Sequence, residues 1–158
     1  MENKPDFVTN LETAYGAPSQ AAFGSAVFYE VLPADADLTQ AALVKYRYFV
    51  GRLWEQYGEK AWMGPWREVY VRQPGTPADI VSELRGITDR DAQLSIPMIL
   101  DNIEGAEKAQ AALAAAYNDS AVNDLRVFNL GDGEAMSGLL IAGRCSDGAT
   151  TTLTFLLD

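Results

Sequence analysis

The spacing of apolar residues changes repeatedly along this chain, and each change marks an element. Residues 1–20 are mixed and polar, with Pro5, Gly16 and Pro18, and predict an N-terminal arm that includes a short helix near Thr9–Tyr15. Ala22–Leu32 carries Phe23, Val27, Phe28, Tyr29 and Val31, the content of a first strand, stopped by Pro33. The clearest helical pattern follows. Asp37 stands as N-cap with Gln40 three residues on. Ala42, Tyr46, Phe49, Val50, Leu53, Trp54 and Tyr57 then share one face, and Gly58 is the stop. Gly51 falls inside this helix, where glycine costs about 1 kcal/mol against alanine.

Ala61–Trp66 reads as a loop with two large anchors, Trp62 and Trp66. Arg67–Gln73 has strand content and ends at Pro74-Gly75. Thr76 and Pro77 are expected to open a second helix that Gly86 closes. In Asp89–Leu100 the residues Leu94, Ile96, Met98 and Leu100 alternate with their neighbours, which predicts an extended segment made irregular by Pro97. Asp101 with Glu104 forms a capping pair for a third helix, rich in alanine over Ala109–Ala116 and ended by Asn118.

The last third reads as a β-meander: Asp124–Leu130, Ala135–Arg144 and Ala149–Leu157, joined at Asp132-Gly133 and Asp147-Gly148. Asp-Gly between apolar runs is a strong hairpin signal. Two-residue loops at both places would put Leu125, Val127, Leu140, Ala142, Leu153 and Phe155 on one face. Side chains of this size stabilise by about 1.5–3 kcal/mol each when buried, so that face is expected to hold much of the core. The predicted fold class is α+β: a single-domain antiparallel or mixed sheet with a C-terminal three-stranded meander and about three helices packed on one face. The domain reading is an arm over 1–20 and one α+β domain over 21–158.

Composition narrows the chemistry. Among 158 residues there is no histidine and one cysteine, Cys145. A Ser-His-Asp triad, a Cys-His pair and a histidine-bearing zinc site are therefore excluded. A lone cysteine forms no internal disulfide, the start lacks a signal-peptide layout, and no apolar run approaches a membrane span, so the expected setting is the reducing cytoplasm of a bacterium. The formal charge of −10 disfavours nucleic acid and anionic lipid as partners.

One cluster carries candidate binding chemistry: Arg52, Trp54, Tyr57, Trp62, Trp66, Arg67 and Tyr70. Aromatic walls with arginines bind planar or anionic small molecules, and the same residue types are enriched in protein interfaces. The plainer reading is that these rings anchor the long helix and its loop onto the sheet. Asn129, Asp132 and Glu134 are oxygen donors near glycines, but a hairpin turn explains them without calcium. Glu30, Glu68 and Glu134 sit in or near strands, yet no spacing selects an acid–base pair. Cys145 reads as ordinary packing near a turn.

These features lead away from catalysis and predict no metal and no cofactor. The expectation is a non-catalytic binding or regulatory module, acidic and masking a basic protein partner in the manner of an inhibitor or immunity protein. The alternative is a small-molecule-binding α+β protein with an aromatic and arginine pocket, an enzyme among its forms. Self-association into a homo-oligomer is the third possibility.

Overall fold

The C-terminal strands are buried on both faces, and the layering of the fold follows from that. The computed structural model describes residues 4–157, so the first three residues of the expected arm and Asp158 of the expected domain lie outside the described residues. Its helices are α1 (Asp6–Tyr15), α2 (Leu38–Val50), α3 (Arg52–Tyr57), α4 (Glu59–Met63), α5 (Ile80–Arg85), α6 (Arg90–Leu100) and α7 (Ala106–Tyr117). The strands are β1 (Gly24–Val31), β2 (Arg67–Val71), β3 (Val122–Asn129), β4 (Ser137–Cys145) and β5 (Ala149–Leu157). They form one antiparallel sheet in the order β1-β5-β4-β3-β2. This is a single-domain α+β fold, and β3–β5 form the expected meander.

The helices cover both faces of the sheet, where one face was expected. Val27, Leu125, Val127, Leu139, Ile141, Leu153 and Phe155 meet α1, α5, α6 and α7. Ala26, Phe28, Phe128, Leu130, Leu140, Ala142 and Leu156 meet α2, α3 and α4. A strand that is apolar on both faces needs a cover on each, as buried sheets generally do.

The register differs from the two-residue-loop expectation at both hairpins. The turn after β4 runs through Ser146, Asp147 and Gly148, closed by the Gly148 N–H donating to the Cys145 carbonyl at 2.9 Å. Gly148 takes a φ of +93°, the conformation such a turn assigns to glycine. In the loop before β4, the Asp132 carboxylate accepts the N–H groups of Glu134 (2.9 Å) and Met136 (3.0 Å), and pairing resumes with Leu130 donating to the Gly138 carbonyl. Each loop departs from expectation by an odd number of residues. β4 is therefore turned over: Leu139 and Ile141, instead of Leu140 and Ala142, share the face of Leu125, Val127, Leu153 and Phe155. β3 and β5 keep the common face the pattern assigns them.

Helical boundaries also differ, and the expected Ala61–Trp66 loop begins inside α4. The short helix expected near Thr9–Tyr15 is present but starts earlier, as α1 from Asp6, and its Val8, Leu11 and Tyr15 are buried in the core. Asp79, not Thr76, caps α5 through the Ser82 N–H. Asp89–Leu100 is helical: Asp89 caps α6 through the Ala92 N–H, and burial of Ala92, Ile96, Ile99 and Leu100 follows the helical period while Leu94 stays exposed. Pro97 sits inside this helix. Then α7 starts after Gly105 (φ +70°), and Asp101 pairs with Arg85 instead of capping.

The short helix α5 is fastened to the sheet by a buried ion pair. Arg72 Nη2 lies 2.6 Å from Glu83 Oε2, Arg72 Nε donates to Glu83 Oε1 at 2.7 Å, and the two side chains are only 7% and 6% exposed. Tyr70 donates its hydroxyl to the same carboxylate, and Arg72 Nη1 reaches the Tyr117 carbonyl at 3.0 Å. Burial by itself pushes the Glu83 carboxyl up, but the hydrogen bonds from Arg72 and Tyr70 and the Arg72 charge outweigh it, and the group is held below its ordinary range. Removing one partner leaves the other buried and unpaired. Arg72→Met should therefore cost about 3–5 kcal/mol in urea unfolding, and Arg72→Met with Glu83→Leu distinctly less than the sum of the single changes. Because the folded carboxyl is the stronger acid, its contribution is complete above about pH 4.3 and lost as pH falls below that. Glu83→Gln should flatten that acid limb.

Candidate functional site

The residues singled out in the sequence fall in four places. Trp54, Trp62 and Trp66 belong to the core beneath α2, α3 and α4. They form a ladder of rings with their neighbours. Phe128 of β3 stacks on Trp66 (4.6 Å between centroids), Trp66 on Tyr46 (5.4 Å), and Tyr46 meets Trp54 edge-on (5.3 Å). Trp54 lies parallel to Trp62 at 6.4 Å, and Trp62 meets Tyr57 at 6.4 Å and 69°. The ladder starts inside the sheet and ends at Tyr57, which is 63% exposed. Buried polar atoms on the way are satisfied: Tyr46 donates to the Trp62 carbonyl and Trp62 Nε1 to the Leu53 carbonyl.

Arg67 and Tyr70 are elsewhere. Arg67 holds Asp89 through two hydrogen bonds (2.7 and 2.9 Å) and Asp91 through one (2.7 Å), tying β2 to the start of α6. The hydrogen bond from Arg67 holds the Asp89 carboxyl below its ordinary range. Tyr70 belongs to the Arg72–Glu83 cluster. Arg52 is exposed at the start of α3.

Gly51 decides how α3 is aimed. It breaks the expected long helix, with φ +67° and ψ −133°, a region open to glycine and strained for any other residue. Its N–H still ends α2 on the Arg47 carbonyl, while its carbonyl accepts from Trp54 in the next helix.

Two of the grooves beside these short helices are lined by aromatic rings. The first, about 340 Å³, opens between α3, α4 and the β3–β4 loop, with Phe23, Leu53, Tyr57, Trp62, Met136 and Asp132 among its lining. Asp132 is its only charged lining residue. The Met136 and Glu134 N–H groups that bond Asp132 hold its carboxyl below the ordinary range, so it is anionic at neutral pH. Asn129 fixes the loop's origin by donating Nδ2 to the carbonyls of Pro65 (2.9 Å) and Gly131 (2.7 Å). The second groove, about 710 Å³ and open to solvent, is lined by Gln20, Arg47, Tyr48, Arg52, Trp54 and Glu55 among others. The Arg47 guanidinium lies 5.9 Å from the Trp54 ring centroid. Neither Arg47 nor Arg52 makes an ion pair among the described residues.

The other candidates are occupied with structure. Glu30 pairs with Lys45, and Glu68 with Arg126. Burial and the nearby Asp147 and Asp119 charges raise the Cys145 thiol, which keeps it protonated and a poor nucleophile. Among the described residues no group of three or more acidic or cysteine side chains is placed to hold a metal ion, and no helix is long and apolar enough to cross a membrane. Phe23 and Met136 of the smaller groove were missed by the sequence reading because they come from segments far apart in the chain.

Fold and site together define a single-domain α+β protein, sheathed by helices on both faces, with an aromatic groove at one end. No protein-family model, no curated protein and no solved structure matches the chain.

The Gly51 geometry gives a test whose sign separates a helix break from a helix interior. Gly51→Ala should lower stability by about 1–3 kcal/mol, because alanine cannot take this backbone without strain. In an uninterrupted helix the same change would raise stability by about 1 kcal/mol. Chemical denaturation of the two proteins checks it.

Proposed function

We propose that this chain is a non-catalytic binding module that engages a basic protein partner through the end formed by α3, α4 and the β3–β4 loop. The observation that carries this reading is the setting of Tyr57. It is the most exposed large apolar side chain among the described residues, and it stands beside an apolar groove whose one charged lining residue is anionic. Glu55 and Glu59 flank Tyr57 in sequence, and Glu134 follows Asp132 in the loop. All three are exposed and none makes an ion pair among the described residues. An exposed tyrosine backed by a buried tryptophan is a typical interface anchor, and the Asp132 carboxylate in the groove beside it complements a basic surface. The net charge of −10 adds long-range attraction for such a partner.

Capture on the immobilised chain from its native lysate tests this. A basic protein should be retained at low salt, retained less at high salt, and lost with Tyr57→Ala or with Glu55→Lys and Glu59→Lys together. Nothing retained at either salt, or retention indifferent to these substitutions, defeats the reading.

A second reading, a small-molecule site for a planar anion, is favoured by one feature. Arg47 and Arg52 line the same groove with Tyr48, Trp54 and one carboxylate, Glu55, and neither arginine makes an ion pair among the described residues. Titration with a panel of planar aromatic carboxylates should then shift tryptophan fluorescence in the parent protein and not in Arg47→Gln with Arg52→Gln. A flat response across the panel removes this reading.

A further inference from the structure

We infer that the smaller groove is a site for an alkylammonium group, a cationic head on an aliphatic stem such as a lysine or methylated-lysine side chain of the partner. The inference deepens the basic-partner reading and rests on it for the source of the cation. Its support is the combination of walls. Tyr57 and Trp62 stand at 69° to each other with centroids 6.4 Å apart, so they offer two differently oriented aromatic surfaces to one space. Phe23 supplies a third ring and Met136 a polarizable thioether. Rings arranged around a space attract a cation through their quadrupoles, most strongly for weakly hydrated ammonium groups. A purely apolar ligand would gain as much from such walls, but it would gain nothing from a carboxylate. Here the one charged lining residue is Asp132, fixed in place by the N–H groups of Glu134 and Met136 at 2.9 and 3.0 Å. These bonds use one carboxylate oxygen, Oδ1, and the groove is too small for a folded element but large enough for a single side chain. The free arginines lie in the lining of the other groove, so no cation competes among the lining residues of this one.

The test compares choline with 3,3-dimethyl-1-butanol, a neutral molecule of nearly the same shape, on the full chain by NMR. Choline should shift the Trp62 indole N–H and the Met136 amide in a saturable way. The alcohol should bind at least about fivefold more weakly. Asp132→Asn keeps the oxygen that accepts the loop N–H groups and removes the charge. It should weaken choline by about three- to tenfold and leave the alcohol unchanged. Tyr57→Ala, at an exposed position, should abolish the choline shifts while the melting temperature stays near that of the parent. Equal binding of the two probes, or no saturable shift with choline, overturns the ammonium site. Choline binding that behaves as expected while no basic protein is captured upholds the site and removes only the partner reading. Tyr57-dependent capture without a choline response does the reverse.

Discussion

The register of β4 is the constraint on which the rest of the structure hangs, and Tyr117 locks it. Tyr117 is fully buried at the end of α7, and its hydroxyl lies 3.2 Å from the carbonyl oxygens of both Ile141 and Thr151. Burial pushes the phenol far above its ordinary range, so it remains a protonated donor. The ring rests on Gly143: a Cβ there would come within 2.8 Å of Tyr117 Cδ1. Moving β4 by one residue would bring Ala142 or Arg144 under the ring and send Leu139 and Ile141 to the opposite helical layer. One side chain thus couples the seating of α7 to the pairing of β4 and β5. Both halves of the core inherit their membership from that coupling.

Much of this was readable from the chain, and the parts that were not share a cause. The strands β3 and β5 were legible because their own alternation sets their faces. The capping of α2 was legible because Asp37 and its first N–H partner, on Thr39, are two residues apart (2.8 Å). By contrast, the face of β4 depends on how many residues two loops contain. That number is fixed by the Asp132 carboxylate folding back on Met136 and by the positive φ of Gly148, both matters of loop geometry. The helix α6 was hidden because its alternating large residues mimic a strand and Pro97 argues against a helix. Burial of four residues at helical spacing, with the Asp89 cap, overrode both.

The candidate site was half legible for a similar reason. Sequence proximity correctly grouped Trp54, Trp62 and Trp66, since short helices separated by glycines keep their rings together. It could not say which rings face inward. That depends on Phe128 and Tyr46, which complete the stack from other elements. Arg67 and Tyr70 were grouped with the tryptophans by proximity, yet their partners arrive from elsewhere, Asp89 from the start of α6 and Glu83 from α5. A charged residue follows its counter-ion, and the counter-ions here are distant in sequence.

The two helical layers mix the same kinds of contact in different proportions, and this bears on where function sits. The layer of α1, α5, α6 and α7 is tied by directional bonds: Tyr15 to the Ile99 carbonyl, Gln110 to the Leu100 carbonyl, Asn118 to the Ile80 N–H, and the Arg72–Glu83 pair. Such ties tolerate little displacement, since hydrogen bonds weaken steeply with misalignment. In the opposite layer, α3 and α4 have six and five residues, too short to persist alone, and Gly51 and Gly58 separate them from α2 and from each other. They are held by apolar burial, by ring contacts worth about 0.5–1.5 kcal/mol each beyond area burial, and by two hydrogen bonds, from Tyr46 to the Trp62 carbonyl and from Trp62 Nε1 to the Leu53 carbonyl. A ligand that immobilises Tyr57 acts on the outer end of a ladder whose inner end is Phe128 of the sheet. A ligand seated there would add to the contacts of that ladder. The opposite layer, tied to the strands through Tyr117, holds the sheet against which that ladder is built.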